Sequence, residues 1–357
     1  MATNDSVLSP GNAAGQDEDP VTLRARDESL FVAWYSNRNG TQPDGYDDKE
    51  IFLMHSTDGR SWTNPPIQLT RTPRYSFYPS LAQDASGQFH LAGMRTIFQP
   101  DGCVPTNSCT GAQYSIFTKS SADGVTWNAD AENTVAAGPA DQMPWIVADR
   151  QADRLLIFFC SPTRDANGNV QFVDFTQNLY VTVDSGTGWS TPQRLVGPNA
   201  PGTGNVFPYV VQRSDGQFLM TWVRYEAAIP DAVDTLREIS TDVLWATSAD
   251  GVVWSSPATV SDADTLAEID ILPSLYLHTV RNNWNIIWRT GSNPADPGRS
   301  VEMPVGGSYP TDLLTRPELA GYSARILATP TTGIFWGVWV AGDEPRQKIH
   351  HRFFTLP

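Results

Sequence analysis

The chain has 357 residues, of which 39 are acidic and 24 basic, and its formal net charge is −15 at pH 7. This charge balance argues against a nucleic-acid partner, because phosphate backbones select clustered basic surface. No apolar run approaches the roughly 20 residues that cross a membrane. Twelve Trp, 27 Gly and 27 Pro are instead typical of a turn-rich β protein.

The first residues, Met1 to Ser6, contain neither the basic nor the apolar segment of a secretory signal. The sequence therefore leaves two locations open: secreted if a signal was removed, and otherwise cytoplasmic. Cys103 and Cys109 bracket a short loop and could close on each other, whereas Cys160 lies in an apolar strand and is expected in the core.

A seven-residue turn motif recurs along the chain. Ser56 to Trp62, which reads Ser-Thr-Asp-Gly-Arg-Ser-Trp, returns at 121–127 and 248–254, and a longer relative covers 182–189. Successive aspartates are 65, 61 and 66 residues apart, counted over Asp58, Asp123, Asp184 and Asp250. Asp accepts hydrogen bonds from the backbone of a tight turn, Gly supplies a positive φ and Trp an apolar anchor. We therefore expect these residues to hold strand-to-strand turns together and to contact no ligand.

A second landmark is a proline that opens an apolar strand once per period, at Pro20, Pro79, Pro144, Pro208 and Pro273. A hairpin and a second apolar strand follow each proline, and a third strand leads into the repeated turn where that turn is present. Four antiparallel strands in a repeat of this length are the signature of a propeller blade.

The sequence therefore predicts an all-β fold, a six-bladed β-propeller of four-stranded antiparallel blades forming a single domain over 1–357. The sixth blade shows only three strands before the sequence ends, and residues 5–9 resemble the fourth strands of other blades. We expect this N-terminal strand to complete the last blade and close the ring. The predicted blades cover roughly 20–70, 76–137, 141–197, 205–261, 270–316 and 320–357.

Polar residues recur at two positions near the predicted axis. Arg95, Arg224 and Arg289 each stand 16 residues after a proline marker, and the residues three before the markers include Asp17, Asp141, Asn205 and Asp270. Loops into the innermost strands and out of the second strands share one face of a propeller, so these side chains are expected to converge at the central mouth. Two interpretations stay open: a polar ligand site, and structural ion pairs between the arginines and nearby carboxylates.

The repeated turn is identified as an Asp-box, or BNR repeat, and with the blade pattern the chain resembles the sialidase superfamily over nearly its whole length. Under this resemblance, Arg224 resembles the second arginine of that family's carboxylate-binding triad, and Arg299 could be the third. Tyr322, followed by Ser323, resembles the family's nucleophile. The loop at 37–48, with Asp44, Asp47 and Asp48, occupies the place of the acid/base aspartate.

Departures from the family's pattern argue against sialidase turnover. The first triad arginine belongs in the segment that here reads Asp17-Glu18-Asp19-Pro20, and the glutamate that polarises the tyrosine belongs where 205–208 reads Asn-Val-Phe-Pro. Only Glu226, just past Arg224, stands nearby as a substitute, and a tyrosine without its base is a weak nucleophile at neutral pH. Tyr322 also aligns with Tyr78 and Phe207, which favours a packing role.

Three functions are open at this stage. The first is recognition of a glycan or another polar ligand at the mouth, without sialidase activity. The second is a glycoside hydrolase that uses two of the central carboxylates Asp17, Asp141 and Asp270. The third is a protein-interaction scaffold.

The expected partner is a carbohydrate or other polar ligand, with neither nucleic acid nor membrane. Five scattered histidines give no metal-ligand spacing, so the sequence implies no cofactor, although calcium on Asp44, Asp47 and Asp48 is an option.

Overall fold

The computed structural model describes residues 6–9, 15–38, 49–71, 75–98, 113–128, 132–136, 141–162, 177–197, 203–227, 239–261, 269–291, 299–307, 314–315, 322–341 and 347–356. Cys103, Cys109, Asp44, Asp47 and Asp48 lie outside these residues. No helix in the described part of the chain is long and apolar enough to cross a membrane.

The described strands form six blades of four antiparallel strands, arranged as a propeller ring, so the predicted fold class is confirmed. The first three blades contain β2 (Asp17–Arg24), β3 (Leu30–Ser36), β4 (Glu50–Ser56) and β5 (Ile67–Gln68); β6 (Ser76–Gln83), β7 (Phe89–Phe98), β8 (Gln113–Ser121) and β9 (Asn133–Ala136); and β10 (Gln142–Asp149), β11 (Arg154–Pro162), β12 (Gln177–Asp184) and β13 (Gln193–Val196). The next two contain β14 (Thr203–Gln212), β15 (Phe218–Ala227), β16 (Ile239–Ser248) and β17 (Ala258–Thr259); and β18 (Ile269–His278), β19 (Asn283–Gly291), β20 (Arg299–Pro304) and β21 (Leu314–Thr315). The sixth contains β22 (Tyr322–Ala328), β23 (Ile334–Ala341), β24 (Lys348–Thr355) and β1 (Ser6–Val7).

The ring closes through the N-terminal strand, as the sequence predicts. Ser6 lies opposite His351 and Val7 opposite His350 in an antiparallel pairing of β1 with β24. The Leu8 amide then donates to the Ile349 carbonyl at 2.8 Å, and the Leu8 side chain is buried. Sequence-distant ends of the described chain therefore share one sheet, in which β1 covers the edge of β24 and supplies the fourth strand of blade six.

The hydrophobic core is a ring of clusters, one at each blade interface. In β3, alternate side chains point to opposite faces of the blade. Phe31, Ala33 and Tyr35 pack with blade two, whereas Val32 and Trp34 pack with Trp336 and its neighbours in blade six. The other four interfaces hold equivalent clusters. Both faces of every blade are thus buried, which explains why the second strands read as continuous apolar runs.

Each repeated turn fixes itself by local hydrogen bonds and packs on the preceding blade. Asp123 accepts from the amides of Val125 and Thr126 at 2.9 and 2.7 Å. Trp127 donates to the Gly124 carbonyl at 2.7 Å and packs against the core shared with blade one. Gly124 has a φ of +74°, and a Cβ there would lie 2.8 Å from Phe31. The turn is therefore a blade-to-blade anchor.

Candidate functional site

A β-bulge of one design interrupts the innermost strand of all six blades. The register with the second strand shifts at the same place in each, for example between Glu18 and Val21 in blade one. At each bulge one non-glycine residue has a φ between 45° and 56°, the left-handed region that L-residues rarely adopt. These six residues are Asp19, Tyr78, Met143, Phe207, Leu272 and Ser323.

The bulges surround a central pocket. Five of their left-handed residues line it, Ser323 being the exception, together with four side chains located two positions further along the inner strands: Val21, Trp145, Tyr209 and Arg325. Its volume, including the open mouth, is about 460 Å³. Bulges re-aim side chains, and here they direct residues from every blade towards the axis.

Aromatic rings form much of the pocket wall. The rings of Tyr78 and Phe207, from blades two and four, meet edge to face at 6.2 Å. Trp145 and Tyr209 are in close contact, with ring centroids 4.0 Å apart, and the Trp145 indole donates to the Val210 carbonyl at 2.7 Å. Such rings present flat apolar surface with a polar edge.

Asp19 is the acidic group at the pocket, and its carboxylate joins blade one to blade six. It accepts from the Tyr35 hydroxyl at 2.9 Å and from the Ser323 hydroxyl at 2.7 Å. Burial raises the pKa of Tyr78, and the charges of Asp19 and Glu18 add to that rise. Tyr78 is therefore a neutral hydrogen-bonding group across the physiological range.

Glu18 occupies the place that the family pattern gives to an arginine, and the structure pairs it with a cation. The Lys49 ammonium lies 3.2 Å from the Glu18 carboxylate and 5.4 Å from the centre of the Tyr35 ring. The negative charge of Glu18 is thus locally compensated.

Arg325 is the basic group at the pocket, and it is 8% exposed. Its Nη1 donates to the Ala324 carbonyl at 3.0 Å, and its guanidinium lies 5.4 Å from the centre of the Tyr209 ring. Its Nε is buried without an acceptor, and no carboxylate lies within ion-pair distance among the residues that the structure describes. Burial lowers the pKa of this guanidinium, an effect that Tyr209 and Asp19 oppose.

Asp17 is fully buried beside the mouth and is held by structural partners. One carboxylate oxygen accepts from the Trp34 indole and from Arg38, both at 3.0 Å, and the Lys348 ammonium lies 3.8 Å from the other. Burial lowers the pKa of Lys348, while Asp17 opposes that shift. Two cations and an indole thus surround this carboxylate and fix its position.

Asn205 takes the same place in blade four and has the same local role. The Trp222 indole donates to its side-chain oxygen at 2.8 Å, as Trp34 does to Asp17. Asp141 is also fully buried. Burial raises the pKa of the neighbouring Cys160 thiol to about 12, and the charge of Asp141 adds to it.

Arg95 and Arg224 extend along their own blades. Arg95 contacts Glu132 at 2.9 Å and donates to Thr134 at 2.8 Å, whereas Arg224 contacts its cross-strand neighbour Asp242 at 2.7 Å. These partners of the two arginines belong to other strands or loops of the same blade, so the pairs stabilise single blades. Neither of these two pairs joins one blade to the next.

The expectation that three arginines share one blade position is also wrong. Arg95 and Arg224 lie opposite Ser76 and Asn205, but Arg289 lies opposite Ile271, one residue out of step. The first hairpin of blade five is longer by that residue, and adjacent side chains of a strand point to opposite faces. Arg289 instead lies beside Ser300 and Ser323 at the interface with blade six, where the gap has no room for a water molecule.

The remaining predicted site residues are placed by their backbone alone. Asp270 lies opposite Thr290, which also faces Arg299, and Tyr322 lies opposite Val340. Ser323, and not Tyr322, has the left-handed conformation of Tyr78 and Phe207, which corrects the predicted alignment of Tyr322. The side chains of Asp270, Arg299, Tyr322 and Glu226 lie outside the described part.

Sequence reasoning missed the residues that the bulges bring together: Asp19, Ser323, Trp145, Tyr209 and Arg325. The proline markers carried a signal for three of them, because Asp19 directly precedes Pro20, and Trp145 and Tyr209 directly follow Pro144 and Pro208. Blade six has Ala324 at the marker position, so Ser323 and Arg325 had no such signal. Within the described ranges, no group of three or more His, Cys, Asp or Glu residues is arranged to hold a metal ion.

The fold is shared with known carbohydrate-active proteins. Similar solved structures include a protein of unknown function from Dyadobacter fermentans, with a TM-score of 0.70, 13% identity and coverage of 100% of this chain and 99% of that chain. An α-L-arabinanase of Penicillium chrysogenum in complex with arabinobiose matches with a TM-score of 0.67 and 15% identity. The match covers 99% of this chain and 98% of that chain.

The NanB sialidase of Streptococcus pneumoniae gives a TM-score of 0.63 and 11% identity, with 98% of this chain and 70% of that chain covered. The chain thus has the fold of sialidases and arabinanases, in agreement with the resemblance inferred from its sequence. No protein-family model matches the sequence, and no curated protein matches it either.

Proposed function

We propose that this Asp-box propeller recognises a saccharide at its central mouth and does not release sialic acid. The observation that carries the proposal is the pocket itself, where Tyr78, Trp145, Phe207 and Tyr209 combine aromatic faces with the polar groups of Asp19 and Arg325. Aromatic surface for the faces of a sugar ring, with a few polar groups for its hydroxyls, is the composition expected of such a site.

The state of the carboxylates favours binding over hydrolysis. A general acid or base must reach the reacting atoms within hydrogen-bond distance. Asp17 is fully buried and contacts Arg38 and Trp34, and Asp141 is fully buried as well. Hydrolysis through two of the carboxylates Asp17, Asp141 and Asp270 is kept as the alternative, because the similar solved structures include an arabinanase and a sialidase.

A saccharide array, read beside chromogenic glycosides and a fluorogenic sialoside, tests the proposal. We expect binding of at least one saccharide and no turnover of the sialoside. Trp145→Leu should weaken that binding by roughly tenfold or more, the usual effect of removing a central aromatic anchor. Trp189→Leu, on the outer turn of blade three, is the matched control and should bind normally.

Each outcome separates the candidate functions. Turnover of a neutral glycoside would favour the hydrolase, and turnover of the sialoside that Tyr322→Phe abolishes would restore the sialidase mechanism. Absence of binding across the whole array would contradict saccharide recognition and leave the scaffold function.

A further inference from the structure

The pocket contains a cation, Arg325, that forms no ion pair with a described carboxylate. Arg325 is more than nine-tenths buried, and its Nε hydrogen has no acceptor in the described part of the chain. Removing a charged group from water costs several kcal/mol unless ion pairing and hydrogen bonds compensate. In the structure, the Ala324 carbonyl accepts from the guanidinium and the face of Tyr209 lies beside it.

The charge of Asp19 acts on the Arg325 guanidinium, but the Asp19 carboxylate forms its hydrogen bonds with other residues. Its charge opposes the loss of the Arg325 proton, yet its two oxygens accept from Tyr35 and Ser323, and no Asp19 oxygen lies within 4.0 Å of the guanidinium. Arg325 therefore lines the pocket without an ion-pair partner among the described residues.

We propose that Arg325 binds a carboxylate of the ligand, so that the pocket selects an acidic saccharide over its neutral counterpart. The guanidinium matches the geometry and charge of a carboxylate, and a low-polarity wall of Trp145, Tyr209 and Phe207 strengthens the interaction. The saccharide part of this inference rests on the proposed function, whereas the carboxylate part does not.

Calorimetric titration with D-galacturonate, D-galactose and acetate tests the inference, because the two sugars differ only in the carboxylate. The wild-type protein should bind galacturonate roughly 10- to 100-fold more tightly than galactose, the effect of one or two charge-assisted hydrogen bonds. Arg325→Met should remove the difference and the response to acetate, and Arg325→Lys should keep part of both. Arg194→Met, on an exposed outer strand, removes the same charge elsewhere and should change nothing.

Stability distinguishes a ligand-binding arginine from a structural one. Since Arg325→Met removes an uncompensated buried charge, its melting temperature should equal or exceed that of the wild type. A fall of many degrees in both Arg325 variants would show that the side chain serves the fold.

The binding outcomes are decisive in either direction. Galactose binding as tight as galacturonate, or an equal response to chloride and acetate, would overturn carboxylate selection while leaving saccharide recognition intact. An Arg325-dependent response to acetate with no response to any saccharide would uphold the carboxylate site and contradict the proposed function.

Discussion

Asp58 and Asp123 show how much a single exposed carboxylate can organise. Backbone hydrogen bonds from Ser61 and Arg60 hold the pKa of Asp58 at about 2, well below its ordinary value. The same bonding pattern, led by Thr126, lowers the pKa of Asp123. In both turns the carboxylate accepts hydrogen bonds from backbone amides that have no partner in a neighbouring strand.

Asp123→Ala and Trp127→Ala should both destabilise the protein while leaving ligand binding intact, because this turn lies away from the axis. We expect a cost of about 1 to 4 kcal/mol, larger for the Trp, which loses its packing on blade one. Urea unfolding measures the cost and calorimetry measures binding. Lost binding with unchanged stability would instead place this turn in the site.

At the scale of elements, the short strand β1 is the closing piece of the ring. Its two residues pair with β24, and the two residues that follow extend the contact, since Leu8 is buried at 2% exposure and the Ser9 hydroxyl accepts from the Ile349 amide at 3.0 Å. The closing interaction therefore depends on the inward side chain of Leu8, whereas the neighbouring Val7 side chain points outward.

Leu8→Ala should cost about 2 to 5 kcal/mol, because it removes a buried side chain from the cluster that contains Trp34 and Trp336. Val7→Ala is the matched control: Val7 is 47% exposed, and the change should stay within about 0.5 kcal/mol. Deleting residues 1–9 should lower the melting temperature by several degrees, since it opens an edge. An unaltered melting curve for the deletion would contradict closure by this strand.

The same elements show what the sequence can and cannot predict. The period of the turns, the proline markers and the incomplete sixth blade are sufficient to predict the ring and its closure. Counting along the chain failed at Arg289 because one hairpin is a residue longer, and a one-residue shift reverses the face of a strand residue.

The pocket itself was beyond the sequence for a different reason. Left-handed backbone is expected at glycine, yet the bulges place Asp19, Tyr78 and Ser323 in that conformation. The partners of the arginines were also hidden, because Asp242 and Glu132 meet them only through strand pairing and loop return. The residue types predicted that the arginines form ion pairs, but which carboxylates they pair with can be identified only from tertiary contacts.

At the scale of the whole molecule, closure of the ring creates an acid-sensitive joint around His351. Its Nε2 lies 2.6 Å from the Ser6 hydroxyl, and its Nδ1 accepts from the Trp336 indole at 3.3 Å. Burial lowers the pKa of His351 to about 4, and the neighbouring His350 adds to that shift. A protonated ring would lose its role as acceptor for Trp336.

Stability should therefore fall as the pH decreases from 6.5 towards 4. The folded-state pKa is below the unfolded value of about 6.5, so the unfolded chain binds more protons in this window. The contribution of His351 is complete above pH 6.5, and about 2 kcal/mol of it should be lost between pH 7.5 and pH 5. Urea unfolding at the two pH values measures the loss.

His351→Gln provides the comparison, because glutamine accepts hydrogen bonds but does not titrate. Other groups also protonate on acidification, so the informative quantity is the difference between the two slopes. Equal slopes for the variant and the wild type would exclude His351 as the source.

The bulges give this ring a property that a plain barrel of strands lacks. Asp, Tyr, Met, Phe, Leu and Ser all adopt the same backbone conformation at their six equivalent positions, so the conformation is set by the blade and not by the side chain. Five of these side chains point into the pocket, while the alternating residues of the second strands build the blade interfaces. The side chains that line the pocket can consequently be substituted one blade at a time. A single scaffold can therefore diverge in ligand specificity while its hydrophobic core stays the same.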